Sequence, residues 1–439
     1  MSFLRGFSIA MGANITVFAL SFLNNKLIYL FLDDTDNGLY FLVMRLSLLC
    51  ALFFGDWMRL SSMNIAGGDK RLIPSLSANG FWYSIVLGAV LAVASIALNT
   101  SDGSLISVPY RFFPAVLAVG ILFVARNNWQ SLLLVEHRMT SYGLTFVLWG
   151  LVFLGLDAFF LVIMRYGLHF VIASLIAASC VSAVWAFTAN ARAGGHSFRA
   201  SPTLFGRSAR IGSRAWIAVL GMYIMTNIHV FSIGPLSGSP EKGLVMVALF
   251  SVGFRIFNLF QRGSDVAGTV LYSHVVQQGD SESSRMTMLV ARNALLVSLV
   301  FAFIGAAAGK AIILVIASPR YMDAYIPLLL MLPGIVAINT GSVINNYYWG
   351  KTYPLPVILA PFAAALVGFA STALLLPKIG VSGAALSFSI MSLLWFMYIV
   401  RRFSADSGFG MSEILVPRIS NLKRVVARAV GAKTTPPEL

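Results

Sequence analysis

The sequence is poor in charge. Asp, Glu, Lys and Arg make up 11% of its 439 residues, where a soluble domain carries about 25%. With 58% hydrophobic residues and a mean hydropathy of +0.83, that deficit excludes an ordinary water-soluble protein. Cysteine is almost missing: Cys50 and Cys180 both lie in apolar runs, so no disulfide framework is expected. The five histidines (His137, His169, His196, His229, His274) are scattered without metal-ligand spacing. There is no Gly-x-Ser-x-Gly, P-loop or paired-carboxylate arrangement. No metal, no cofactor and no enzymatic activity are expected. No outer connection exceeds roughly fifteen residues, which leaves no room for the catalytic loop of a membrane glycan polymerase or ligase.

Long apolar runs fill the rest. Twelve segments reach the ~20 residues needed to cross a bilayer: 8–31, 38–63, 76–98, 112–134, 143–165, 168–190, 214–236, 243–268, 289–309, 324–348, 353–377 and 380–402. They are too long and too uniformly apolar for barrel strands, so the fold class is all-α and polytopic. Arg5 precedes the first run and no small-residue cleavage site follows it, so that run reads as an uncleaved helix. The net charge is +15, but most of it falls in short loops and the tail. That is the positive-inside pattern rather than a nucleic-acid surface. With the N-terminus inside, Arg5, Lys70, Arg71, Arg207, Arg210 and Arg214 are among the cytoplasmic cations. Only Arg111, Arg165, Lys242, Lys310, Arg320 and Lys378 are left outside, and the first outer loop is acidic (Asp33, Asp34, Asp36). Both termini are expected in the cytoplasm, and the protein is expected as a multi-pass component of a cell inner membrane.

The Arg-, Gly- and Ser-rich connection 191–213 divides the chain. The expected organisation is a six-helix lobe at 1–190, this cytoplasmic linker, a second lobe at 214–403 and a basic tail at 404–439. The lobes read as repeats. Tyr40-x4-Arg45-Leu46 matches Phe250-x4-Arg255-Ile256. Pro114…Asn127-Asn128-Trp129 matches Pro333…Asn345-Asn346-Tyr347. Arg165-Tyr166-Gly167-Leu168 matches Lys378-Ile379-Gly380-Val381. The three matches come in order at a nearly constant offset. Six helices per copy implies a two-fold axis along the membrane normal, with a substrate site between the copies. In the tail, Leu415, Ile419, Leu422, Val426 and Val430 alternate with Arg418, Lys423, Arg424 and Arg428, the pattern of an amphipathic helix on an anionic leaflet or of a basic disordered tail.

Basic residues inside the spans each require a reason, since a charge at mid-bilayer costs at least ~2.5–3.5 kcal/mol. Arg255, Asn258, Arg262 and Asp265 share one helical stripe. Arg45 occupies the repeat position equivalent to Arg255. The functional reading is a pair of guanidiniums gripping phosphate oxygens in a shared, water-accessible cavity; the alternative is pairing with backbone carbonyls or Asp157. Asn258 and Arg262 extend that face, or Arg262 pairs locally with Asp265. Asp56 and Arg59 read as a local ion pair. Lys26 lines the cavity or snorkels outward. Arg126 contacts substrate or bridges to Asp157. Arg292 is expected at the interface, and Tyr347, Tyr348 and Trp349 in an interfacial aromatic belt. His229 reads as a hydrogen-bonded packing residue that could carry a proton. Asp157, Asp265 and His229 are the candidates for ion coupling.

The two-times-six organisation, the Gly38-Leu39-Tyr40…Arg45-Leu46 run and Leu376-Pro377-Lys378-Ile379-Gly380-Val381-Ser382-Gly383-Ala384-Ala385 resemble the polysaccharide-transport, Wzx-type flippases of the multidrug/oligosaccharidyl-lipid/polysaccharide superfamily. The resemblance implies translocation of a polyprenyl-pyrophosphate-linked glycan across a bacterial inner membrane for O-antigen, capsule or exopolysaccharide assembly. It implies membrane lipids, a glycan polymerase and a chain-length regulator as partners. The family's cationic cavity would map onto Arg45 and Arg255, then Arg262 and Lys26. The late position of the basic residue in the first helix, at Lys26, departs from the pattern. The alternative within the superfamily is an ion-coupled exporter of organic cations, whose pocket needs carboxylates.

Overall fold

In a bilayer every backbone N–H and C=O must find an internal partner, so uniformly apolar runs become helices. The computed structural model describes residues 3–99, 103–193, 197–277, 280–351 and 353–416; within them the side chains at 3–11, 14, 98–99, 259–260, 262–270 and 272–280 lie outside the described residues. Twelve long helices follow in order: α1 (Phe3–Phe31), α2 (Asp34–Gly68), α3 (Ile73–Asn99), α4 (Phe113–Val135), α5 (Met139–Asp157), α6 (Leu168–Ala191), α7 (Pro202–Leu236), α8 (Pro240–Gln277), α9 (Asp280–Ile316), α10 (Tyr325–Lys351), α11 (Leu355–Ile379) and α12 (Val381–Ser407). Among the described residues ten of them are long and apolar enough to cross a membrane; α1 and α8, whose side chains are described only in part, make up the twelve. A short α13 (Met411–Leu415) follows. The basic tail pattern beyond it, at residues 417–439, lies outside the described residues.

Each helix covers one predicted span, and the differences are at the ends. α7 begins at Pro202 rather than 214 because Ser201 caps it, its Oγ accepting from the Leu204 N–H at 3.4 Å. Half of the expected linker is therefore helix. The stretch before it is fastened to α3: Asn79 exchanges two hydrogen bonds with the Ser201 backbone (3.0 and 2.8 Å), and Trp82 Nε1 donates to the Phe198 carbonyl. α5 ends in a π-helical stretch, Ala158–Ile163. A two-stranded hairpin, β1 (Ser104–Leu105) with β2 (Val108–Pro109), and a 3₁₀ stretch, Pro319–Ala324, occupy the equivalent α3–α4 and α9–α10 connections.

The two halves pack alike. α2 lies on α4 as α8 lies on α10; α4 on α6 as α10 on α12; α1 on α5 as α7 on α11; α5 on α6 as α11 on α12. The fold is thus two six-helix repeats around a central cavity. α2 joins the halves, packing along both α7 and α8. Glycine makes the closest approaches possible: a Cβ at Gly38 would lie 2.0 Å from the Leu244 carbonyl oxygen of α8, and one at Gly212 would lie 2.0 Å from the Trp57 carbonyl oxygen of α2. The outer ring presents bare apolar side chains, Phe303 and Leu366 being more than 70% exposed. That is the surface a bilayer covers.

Candidate functional site

A cavity of about 440 Å³ opens between the halves, walled by α1, α2, α4, α5 and α8. Its lining is mostly aromatic and aliphatic, with Asn24, Asn25, Asn258 and Gln261 as amides and Arg45, Arg126 and Arg255 as charges. No carboxylate lines it among the described residues. The repeat pair predicted from sequence, Arg45 and Arg255, is thus brought together with Arg126.

The three guanidiniums lean on rings. The Arg45 Cζ lies 4.6 Å from the Phe254 centroid and 4.9 Å from Phe41. Arg255 lies 4.5 Å from Tyr29, 5.8 Å from Phe41 and 5.9 Å from Tyr40. Arg126 lies 4.4 Å from Phe123 and 5.6 Å from Phe146. Phe41 sits beneath both Arg45 and Arg255. Arg45 Nε and Arg255 Nε and Nη1 are buried without a hydrogen-bond partner. Arg126 donates from Nε and Nη2 to its neighbour Asn127 Oδ1, at 3.3 and 3.1 Å. None of the ion pairs among the described residues includes any of the three. Ring contacts return roughly 0.5–2 kcal/mol each, about the cost of placing the charge or less. The site therefore holds cationic donors in excess of its own acceptors.

The remaining predicted residues divide. Asn258 lines the cavity beside Arg255. Arg262 and Asp265 lie on α8, and their side chains are outside the described residues. Lys26 does not line the cavity: its Nζ donates to the Leu314 and Ala317 carbonyls at the end of α9, at 2.6 Å each. Asp157 is fully buried, beside Asn24 and Ser174, where α5 passes into its π-helical stretch. Neither oxygen has a hydrogen-bond partner, and no Arg126–Asp157 bridge forms. His229 is buried away from the cavity lining, its Nδ1 2.8 Å from Thr372 Oγ1 and its ring edge-on to Phe388. Asp56 and Arg59 form the expected i,i+3 pair, at 2.7 and 2.9 Å.

Two further expectations are corrected. Tyr347 and Tyr348 are core residues rather than an interfacial belt. Tyr348 donates to Asp406 (2.8 Å), and the Tyr347 hydroxyl meets Ser284 (2.9 Å) and Lys351 (2.7 Å). Arg292 is buried rather than interfacial, against the Glu413 carbonyl of α13. In both cases the extra α9, α12 and α13 turns that cover them lie outside the apolar spans. The aromatic wall was missed. Phe18 and Phe22 of α1, and Phe146, Trp149 and Phe153 of α5, all line the cavity. Their spacing places each set on one helix face, a signal present in the sequence.

No family model and no curated protein matches the sequence. Solved structures of similar fold include the lipid II flippase MurJ in an inward closed conformation (12% identity, 99% of this chain and 94% of that one, TM-score 0.70). They include an inward-facing multidrug resistance MATE family transporter of the MOP superfamily (13% identity, 88% and 94%, TM-score 0.64). A third is a MOP superfamily transporter from Pyrococcus furiosus described as having a binding pocket of reverse polarity (14% identity, 91% and 94%, TM-score 0.63). The chain has the fold of multidrug/oligosaccharidyl-lipid/polysaccharide superfamily transporters.

Proposed function

We propose that the protein is a flippase that carries a polyprenyl-pyrophosphate-linked oligosaccharide from the inner to the outer leaflet of a bacterial cytoplasmic membrane, for O-antigen, capsule or exopolysaccharide assembly. One observation carries this reading: three guanidiniums face one aromatic cavity with no carboxylate among its described lining residues. Such a site binds an anion. A diphosphate offers each arginine a pair of oxygens, for charge-assisted bonds that the rings cannot replace. Tyr40, Phe41, Trp149 and Phe153 offer flat faces for sugar rings. The fold shared with a lipid II flippase supports the lipid-linked class of cargo. The MATE likeness favours an organic-cation exporter, but three arginines with no carboxylate among the described lining residues oppose that cargo.

In this reading residues 1–190 and 214–403 are the moving lobes, and 404–439 is a cytoplasmic tail. The α1–α2 end of the bundle faces outward. The head group enters from the inside while the prenyl tail stays in lipid, and the lobes rock to open outward. Arg45, Arg126, Arg255 and Asn258 hold the head group, with Arg262 further along the stripe. Membrane potential assists: moving one charge across 100 mV is worth about 2.3 kcal/mol, and an anion leaving a negative-inside cell moves downhill. Asp157 is the residue for ion coupling, being a buried carboxylate at the end of α5, one of the helices that wall the cavity.

The test uses a strain that depends on this chain for surface glycan. Arg45→Ala and Arg255→Ala should stop export and accumulate lipid-linked intermediate inside while the protein remains inserted, with Arg→Lys retaining part of the activity. Normal export by both alanine variants would refute the assignment.

A further inference from the structure

At the α1–α2 end, the lobes are joined by two cations that each cross to the other lobe and cap a helix there. The last carbonyls of an α-helix have no intrahelical donor and carry the negative end of the helix dipole. From the first lobe, Lys26 of α1 takes the Leu314 and Ala317 carbonyls at the end of α9. From the second, Arg320 of the 3₁₀ stretch takes the Tyr29 and Leu32 carbonyls at the end of α1, and its Nε lies 3.3 Å from Asp34 Oδ1. Asn37 adds a 2.8 Å bond to the Tyr321 hydroxyl, and the Tyr29 hydroxyl meets Ser251 Oγ at 2.7 Å. On the pseudo-equivalent side, the α3–α4 hairpin of the first lobe reaches α7 of the second. A Cβ at Gly234 would lie 2.3 Å from Ser107 Oγ.

We propose that Lys26 and Arg320 form a reciprocal helix-capping latch that holds the α1–α2 end of the cavity shut and must open for the lobes to part there. The chemistry suits a reversible lock. The Lys26–Leu314 bond is exposed, and the Arg320 and Asp34 side chains keep more than a third of their surface exposed, so water can take over these partners as the latch opens. The opposite end is built differently. There the chain itself joins the lobes through the strap at 197–201, α7 presses its backbone against Trp57 at Gly212, and Trp216 Nε1 donates to the Leu52 carbonyl at 3.0 Å. That end is the pivot. The repeat is not obeyed at the latch: Arg111, near the Arg320 position in the first lobe, stacks on its own Phe112 instead of capping α7. One cation on each lobe, rather than a symmetric pair, therefore carries the closure.

The outward orientation of this end rests on the function proposed above; the latch itself does not. The test places a single cysteine at the cavity residue Met44, in a Cys50→Ala, Cys180→Ala background of the full chain. Labelling by a membrane-impermeant thiol reagent is timed in right-side-out and inverted vesicles. The parent should react from one side only, the side away from the latch. Lys26→Met and Arg320→Met, singly and together, should raise labelling from the latch side by about tenfold or more, in line with the loss of charge-assisted bonds, and lower it from the other side. A fold damaged by the substitutions would raise both, so the opposite changes on the two sides identify latch release. Lys26→Arg, which can still cap α9, should behave as the parent. Unchanged labelling on the latch side in the folded double variant, or a rise on both sides in every variant, would overturn the proposal. The assay needs no cargo, so its failure is distinct from failure of the flippase reading.

Discussion

Two clusters of basic side chains sit inside this bundle, and they differ in what surrounds them. At the α1–α2 end, Lys26 and Arg320 are held by carbonyl oxygens from the opposite lobe. In the cavity, Arg45 and Arg255 rest on aromatic rings, with three of their nitrogens buried and unpartnered. The same residue types are used up by the structure in one place and left available in the other. Satisfied cations hold the protein together, whereas the unsatisfied ones at the cavity wall are those to which the proposed function gives an anion.

The comparison breaks most completely if the available cations are removed. Arg45→Ala with Arg255→Ala should weaken binding of a prenyl diphosphate by more than about a hundredfold, since each lost charge-assisted bond is worth ~1.5–3 kcal/mol. Calorimetric titration of the purified protein measures this, and a change under threefold would mean the arginines do not contact the ligand. Using up a cation should have a related effect by another route. Leu48→Glu sets a carboxylate on the cavity wall, one turn from Arg45. It should raise thermal stability by up to about 1 kcal/mol while reducing diphosphate affinity at least tenfold; affinity at the parental level would show that Arg45 was not free. Asp157→Asn should leave diphosphate affinity within threefold of the parent and slow transport driven by an imposed ion gradient by roughly tenfold, read by flux in vesicles. Equal loss of binding and flux would instead place Asp157 among the ligand contacts. The smallest effect belongs to a buried pair outside both clusters. Thr372→Val removes the partner of His229 and should cost about 1 kcal/mol of stability with flux unaltered, measured by thermal unfolding in detergent.

Much of the architecture was legible because it is local. Span lengths of ~20 apolar residues set the helices, and the Arg45/Arg255 repeat match placed two equivalent side chains on one cavity. The ends were less legible. α7 begins where Ser201 and Pro202 cap it, within a stretch whose composition reads as linker. Tyr347, Tyr348 and Arg292 stand near span ends like interfacial residues, yet polar helical extensions and α13 cover them.

The sequence by itself determined that this is an all-helical membrane protein of two related six-helix halves, because hydrophobic length and period are properties of neighbouring residues. Tertiary structure alone decided which intramembrane cations are committed. The carbonyls that hold Lys26 lie 288 and 291 residues away along the chain, and the rings under Arg45 come from both lobes. A charge shows its role only when the groups that satisfy it, or fail to, are brought beside it by folding.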